Sequence, residues 1–319
     1  MTQDETSFVS HGDRLSAWRL PAADDALTGP GGRPCVVMAH GFGATKDAGL
    51  LPFAERFAAA GCEVLLFDYR GYAGSQGQPR QDINHWHHRQ DYQAAVAYAR
   101  TLDGVDPDRI VLWGSSYSGG HVVAVAAGDR RMAAVISQGA AMDGLKALLG
   151  TGQGKGGPAK MLTMTVAALS DLRAAARHEP PVHVPVVGSA GSAAVISAPG
   201  AEFGYQAIMG PTFRNEMCAR GLARVGFNRP VTRAGALRCP ILLVIAERDN
   251  IAPVSAVREV ARRAGSLAEV VSYDSGHFDI YTGELFARSV ASQVDFLQRK
   301  LALPAGYRHR VPGGSPAGR

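Results

Sequence analysis

Six short apolar runs punctuate the chain: "CVVMAH" (35–40), "EVLLFDY" (63–69), "RIVLWG" (109–114), "AAVISQ" (133–138), "PILLVIA" (240–246) and "AEVVSYD" (268–274). Runs this short and this uniformly apolar predict central strands covered on both faces. Helical patterns fall between most of them, at 47–60, 86–102, 117–128 and 255–265, and a last one spans 283–302. Strand–helix alternation of this kind predicts a mostly parallel sheet with helices on both sides. Ahead of it, residues 5–20 alternate apolar and polar around His11-Gly12-Asp13, the pattern of a hairpin. The alternation lapses between 139 and 239, where helical pieces (144–150, 160–177, 213–224) flank a Pro/Gly/Ser/Val stretch at 180–200. This span is expected to be an insertion covering one edge of the sheet. The chain so divides into a core of 1–139 and 236–303, an insertion of 140–235 and a mobile tail of 304–319.

Composition narrows the class. With 319 residues, 46% apolar and 19% charged, the chain can bury a substantial core. The net charge of +5 comes from scattered arginines without a dense basic run, which argues against a nucleic-acid partner. No apolar run approaches the ~20 residues of a membrane helix. The N-terminus "MTQDETSF" is acidic and polar, unlike a secretory signal. Cys35, Cys62, Cys218 and Cys239 show no C-x-x-C spacing and read as buried free thiols. Cytoplasmic location follows as the expectation. A small-molecule substrate is expected, and the reading leaves room for a homodimer.

The stretch "VLWGSSYSGGH" (111–121) places three serines where an apolar strand turns into a helix. A nucleophile at such an elbow sits in a strained backbone conformation, and the residues two before and two after it must be small. Ser115 fails, because Trp113 precedes it by two. Ser116, between Gly114 and Ser118, satisfies the rule. Ser118, between Ser116 and Gly120, also satisfies it but lies already inside the helix. Ser116 is therefore the predicted nucleophile. A Ser/Gly-rich turn without chemistry, holding an anion at the helix start, is the alternative.

A serine hydroxyl needs a base, and the base needs a carboxylate to fix its tautomer. Among ten histidines, His277 in "SYDSGHFD" follows the last strand and so faces the elbow's rim. Asp249 in "VIAERDNIAP" follows strand 240–246 on the same rim; Glu247, Asp279 and Asp143 are rivals. Two N–H donors are needed for the oxyanion formed on acyl attack. Tyr117 follows Ser116, and Phe42 stands in "AHGFGATKD", whose glycines let the chain bend back over the strand ends. His40 at that bend reads as an orienting group rather than a base.

"HGFG", "FDYRGYAGSQG", "GSSYSGGH", "ERDNIAP" and "SGHF", in that order, resemble the α/β-hydrolase superfamily over about 30–140 and 235–300. Within it the chain looks most like bacterial esterase or acyl-peptidase-like members, with 140–235 resembling the variable helical cap. The resemblance implies an eight-stranded, mostly parallel sheet. It carries Ser116, Asp249 and His277 onto a catalytic triad, and Phe42 and Tyr117 onto an oxyanion hole. There are departures: Ser118 replaces a usual glycine, Ala73-Gly74 inverts a commoner order, and Ala246 stands where glycine is frequent. Serine at the elbow argues against the family's dehalogenase and epoxide-hydrolase branches, which need a carboxylate there, and against dienelactone hydrolases, which use cysteine.

Other patterns carry less. "HWHHRQD" (85–91) looks like a metal cluster, but at helical spacing its histidines diverge, and a solvated helix start is expected. "GQGKGG" (152–157) lacks the spacing of a phosphate loop. The insertion supplies Met142, Phe203, Tyr205 and Met209, expected to line an apolar, medium-sized pocket. The sequence thus predicts a serine hydrolase of an ester or thioester, needing no cofactor and no metal. The alternatives are acyl transfer or cyclisation of a specialised metabolite, amide hydrolysis as in prolyl-peptidase-like relatives, and a non-catalytic binder with the same pocket.

Overall fold

The computed structural model describes residues 3–151 and 157–302. The predicted hairpin forms as β1 (Asp4–Ser10) and β2 (Asp13–Leu20). Then come β3 (Arg33–Ala39), α1 (Leu51–Ala59), β4 (Glu63–Phe67), α2 (His85–Ala99), β5 (Val105–Ser115), α3 (Tyr117–Ala126) and β6 (Met132–Gln138). The span after β6 holds α4 (Gly144–Thr151), α5 (Gly157–Ala176), β7 (His183–Val184), α6 (Ala201–Gln206), β8 (Met217–Cys218) and α7 (Leu222–Val225). The core resumes with β9 (Ile241–Ala246), α8 (Val254–Ala264), β10 (Ala268–Tyr273) and α9 (Gly283–Leu301).

Eight strands form one sheet in the order β1-β2-β4-β3-β5-β6-β9-β10. β2 runs antiparallel to β1 and β4, and the other pairs are parallel. Val36 of β3 lies opposite Val64 of β4 and Val111 of β5, so the central strands stack aliphatic side chains in register. Because these strands are apolar on both faces, each face must be covered. Apolar residues of α2, α3 and α8 close one core, and those of α1 and α9 the other. Helix α8 buries Ala256, Val257 and Val260 while Arg258, Arg262 and Arg263 stay outside.

The insertion differs from expectation in place and content. Instead of flanking a sheet edge, it sits over the carboxyl ends of the central strands. There the Tyr205 hydroxyl donates to the Phe42 carbonyl (2.7 Å), and Gln81 Nε2 reaches the carbonyls of Arg214 and Glu216. Strand-end loops expose unpaired backbone groups, and the insertion supplies their partners. The helix expected over 213–224 does not form. Asn215 exchanges two side-chain hydrogen bonds with the Val187 backbone, and β8 pairs with β7, so this backbone is already engaged. Only a 3-10 turn at Ala219–Gly221 and the single turn of α7 remain helical.

The histidine-rich start of α2 is also not a solvated face. Asn84 caps the helix, accepting from the Trp86 and His87 N–H groups. That phase turns His85 and His88 into the core beside Tyr92 and leaves Trp86 half exposed. All four cysteines are free and buried. Among the described residues no helix is long and apolar enough to cross a membrane. The expected glycine-rich loop at 152–157 and the tail at 304–319 fall, apart from Gly157, outside the described residues.

Candidate active site

Strand β5 ends at Ser115 and α3 begins at Tyr117, leaving Ser116 alone at the turn with φ 58° and ψ −120°. A positive φ is costly for a residue with a Cβ, so the surroundings must hold it there. They do so by backbone: Ser116 N–H donates to Gln138 O (2.8 Å), and Ala141 N–H donates to Ser116 O (3.0 Å). The small-residue rule has a direct physical cause. A Cβ on Gly114 would lie 2.4 Å from the Ser118 carbonyl oxygen, and one on Gly41 would meet Ser116 Cβ at 3.1 Å. Ser118, where glycine is usual, puts its hydroxyl to use. Oγ accepts from Ser115 N–H (2.9 Å) and lies 2.8 Å from Ala39 O, stitching the elbow to β3.

The structure brings Ser116, His277 and Asp249 together from three strand ends. His277 Nε2 lies 3.0 Å from Ser116 Oγ, and His277 Nδ1 lies 2.6 Å from Asp249 Oδ2. The other carboxylate oxygen, Oδ1, accepts from Ile251 and Ala252 N–H, both at 2.8 Å. Asp249 is thereby aimed before the histidine arrives, and both side chains are almost fully buried. The rival carboxylates are committed elsewhere: Glu247 to Arg258, Asp143 to Arg229, and Asp279 to Gly276 N–H.

Phe42 and Tyr117 flank the serine. Their rings meet edge-on at 5.2 Å, and neither backbone N–H donates to another described residue. Tyr117 opens α3, so its N–H stands at the positive end of the helix. The Phe42 loop is braced by His40, whose Nδ1 donates to Gly41 O (3.1 Å) and whose Nε2 faces Tyr69 N–H (3.5 Å). Burial pushes the His40 imidazole down to about 3, so it stays neutral, as an orienting group requires.

The cleft beside Ser116 is narrow, about 20 Å³, which is room for one water. Its wall combines Ile196, Tyr205 and Ile208 of the insertion with Leu50, Phe278 and Tyr281 of the core. Of the four expected pocket residues only Tyr205 lines it. Met142 is sealed in the core, and Phe203 and Met209 point to solvent, because α6 turns its Tyr205 side inward. Among the described residues the cleft beside Ser116 is smaller than the medium-sized pocket expected, because the insertion reaches the Phe42 loop through Tyr205. Sequence reasoning missed Ile196, Ile208, Phe278 and Tyr281. Phe278, adjacent to His277, was the one that proximity in the chain could have found. A larger hollow of about 440 Å³, lined by Lys146, Arg229, Arg258 and Arg262 among others, shares no residue with this cleft. Its arginines are neutralised by Asp143, Glu247 and Glu259.

Two polar clusters lie beneath the elbow, one on each face of the sheet. On the α9 face, Trp113 Nε1–H donates to Gln293 Oε1 (2.7 Å), and Gln293 Nε2 donates to Gln138 Oε1 (2.7 Å) and Ser289 Oγ (3.0 Å). Gln138 Nε2 donates to Ser115 Oγ (3.2 Å), which the Tyr281 hydroxyl meets at 2.5 Å. On the α2 and α3 face, His88 stacks on Tyr69 at 4.0 Å and His121 meets Tyr117 edge-on at 4.6 Å. Both nitrogens of His88 and of His121, and the Tyr72 hydroxyl, are buried without a hydrogen-bond partner among the described residues.

A family model of the alpha/beta hydrolase fold matches residues 34–284. The chain is an α/β hydrolase. It is 40% identical to quorum-quenching protein AidA of Acinetobacter baumannii over 92% of this chain and 94% of that protein. It is 28% identical to thiohydrolase aneE of Aspergillus aculeatus over 95% of this chain and 97% of that protein. Among solved structures, α/β hydrolase GrgF from Penicillium superposes with a TM-score of 0.78 at 24% identity, covering 95% of this chain and all of that one. Other proteins similar to this α/β hydrolase carry the names polyketide transferase and acyltransferase.

Proposed function

We propose that this α/β hydrolase is a serine hydrolase that cleaves an ester or thioester of a largely apolar substrate through an acyl-enzyme on Ser116. The observation that carries the reading is the relay of 3.0 Å from Ser116 Oγ to His277 and 2.6 Å from His277 to Asp249. Ser116 Oγ attacks the carbonyl carbon while His277 Nε2 takes its proton. Asp249 accepts from Nδ1–H and stabilises the imidazolium. The charge that develops on the carbonyl oxygen is met by the free N–H groups of Phe42 and Tyr117. The C–O or C–S bond breaks as His277 returns the proton to the leaving group. A water deprotonated by His277 then releases the acid and frees Ser116. No step calls for a cofactor, and four free, buried thiols suit a reducing cytoplasm.

A second reading is acyl transfer, in which a bound alcohol or amine takes the acyl group from Ser116 in place of water; relatives named polyketide transferase and acyltransferase fit that outcome. A fluorophosphonate probe and a p-nitrophenyl ester test the shared step. Labelling is expected on Ser116 and absent in Ser116→Ala, whose turnover should fall by at least about 10³-fold with the fold intact. Undiminished turnover in that variant would refute the assignment. Added nucleophiles then separate transfer from hydrolysis by their products.

A further inference from the structure

Helix α5 buries a charge on its inward face and bares large apolar side chains on its outward one. Its inward face holds Met164, Ala168, Asp171 and Ala174, and the buried Asp171 carboxylate binds the Arg220 guanidinium and backbone N–H and the Val182 N–H. Its outward face carries Leu162, Val166, Leu169 and Leu172, each between 40% and 67% exposed. Steps of four, three and three residues put them on one stripe. From 161 to 170 the helix has no charged residue. Helix α4 adds the exposed Leu145 and Leu149, and both helices pack on α7.

We propose that this stripe is the docking surface for a second copy of the chain, with α5 packed antiparallel against its symmetry mate. The pattern is self-complementary. Leu162 and Leu169 stand on either side of Val166, so a two-fold axis near Val166 sets each leucine against the other's mate, as an isologous contact requires. The uncharged decade 161–170 places no like charges across that axis. The six aliphatic side chains bare on the order of 500 Å² per copy, at the upper end of what a monomer leaves exposed. Two copies together bury on the order of 1,000 Å², the lower bound of a specific interface. The pairing would steady the site as well. Lys160, at the start of α5, donates to Val195 O (3.3 Å) and to Ser197 Oγ, on either side of the cleft residue Ile196.

Sedimentation velocity across the micromolar range tests this. The full chain is expected to approach the dimer mass at tens of micromolar. Val166→Glu, which sets two carboxylates near the axis, should raise the dissociation constant at least about tenfold while keeping the circular dichroism of the parent. Val166→Cys offers an independent readout, because every native cysteine is buried. On mild oxidation it should form a disulfide-linked dimer far faster than a control, Val9→Cys. A parent chain monomeric throughout, a dimer unaffected by Val166→Glu, or cross-linking no faster than the control overturns the proposal. So does a monomer whose stripe instead binds phosphatidylcholine vesicles and loses that binding in Val166→Glu.

Discussion

The two polar clusters under Ser116 lie close to the same elbow and solve the problem of burial in opposite ways. On the α9 side Trp113, Gln293, Gln138, Ser289, Ser115 and Tyr281 form a closed chain of hydrogen bonds. On the α2 and α3 side the imidazoles of His88 and His121 are held by ring contacts with Tyr69, Tyr72, Tyr117 and each other, and have no hydrogen-bond partner among the described residues. The first arrangement is directional. It fixes the residue before Ser116 through its hydroxyl and ties it to α9, which packs beside it. The second is held by shape, and its nitrogens contribute desolvation cost without return. Precision at the elbow thus comes from one face of the sheet, and acid sensitivity from the other.

Acidification should give the largest effect, and only the imidazole side accounts for it. Burial drives His88 and His121 well below their usual range, and His40 down to about 3. In the unfolded chain all three bind a proton as pH falls below about 6.5. The folded state refuses it, so stability is intact above that pH and falls progressively below it. The slope is about 1.4 kcal/mol per pH unit for each histidine. Asp68, raised to about 6 by burial although Lys46 lies 2.9 Å away, acts in the opposite sense: folded, it takes up a proton earlier than the unfolded chain. Burial pushes His85 down to about 4 and lowers His87 as well, so one carboxyl stands against five imidazoles and the net is a loss. Urea midpoints should fall steadily between pH 7 and pH 5, by several kcal/mol in total. A flat profile would mean that these rings have proton acceptors, and the contrast between the faces would fail.

Cutting the directional cluster comes next. Gln293→Leu fills similar space but leaves Trp113 Nε1–H without its acceptor and removes donors from Gln138 Oε1 and Ser289 Oγ. Each buried group left unpaired costs about 1–3 kcal/mol, so a loss of about 2–4 kcal/mol is expected in urea unfolding. A change under about 1 kcal/mol would show that the network is replaceable by packing.

The sequence revealed these faces unevenly. The sheet was legible because β3 to β6 and β9 are apolar runs too short for helices, and the elbow because Gly114 leaves no room for a Cβ. His277 and Asp249 could be located from strand order, since the end of a parallel strand determines the rim. The directional cluster was invisible. Gln138 ends a strand, and Ser289 and Gln293 sit on a helix otherwise marked by charge, so nothing local separates them from surface residues. His85 and His88 failed in the other direction, because the phase set by the Asn84 cap, not their polarity, decided their burial. The insertion resisted reading for a third reason. Its backbone is used up in tertiary pairing, as at Asn215 and β8, which no periodicity records.

The smallest effect discriminates most finely. His121→Leu puts an apolar side chain of comparable size one turn after Tyr117 and removes two nitrogens that have no hydrogen-bond partner among the described residues. A side chain whose hydrogen bonds were being made would cost 1–3 kcal/mol to delete. One whose polar atoms are unsatisfied should cost nothing, and relief of desolvation should offset the lost edge contact with Tyr117. Stability at pH 7 is therefore expected to stay level or rise by up to about 1 kcal/mol, and the acid-induced loss should shrink by one histidine's share. If stability instead drops by 2 kcal/mol or more, the nitrogens are bonded, and the two faces of the elbow are built on the same principle after all. If stability holds while the pH slope also stays unchanged, His121 is not among the groups that resist protonation, and the acid sensitivity belongs to the other buried histidines, His88, His85 and His40.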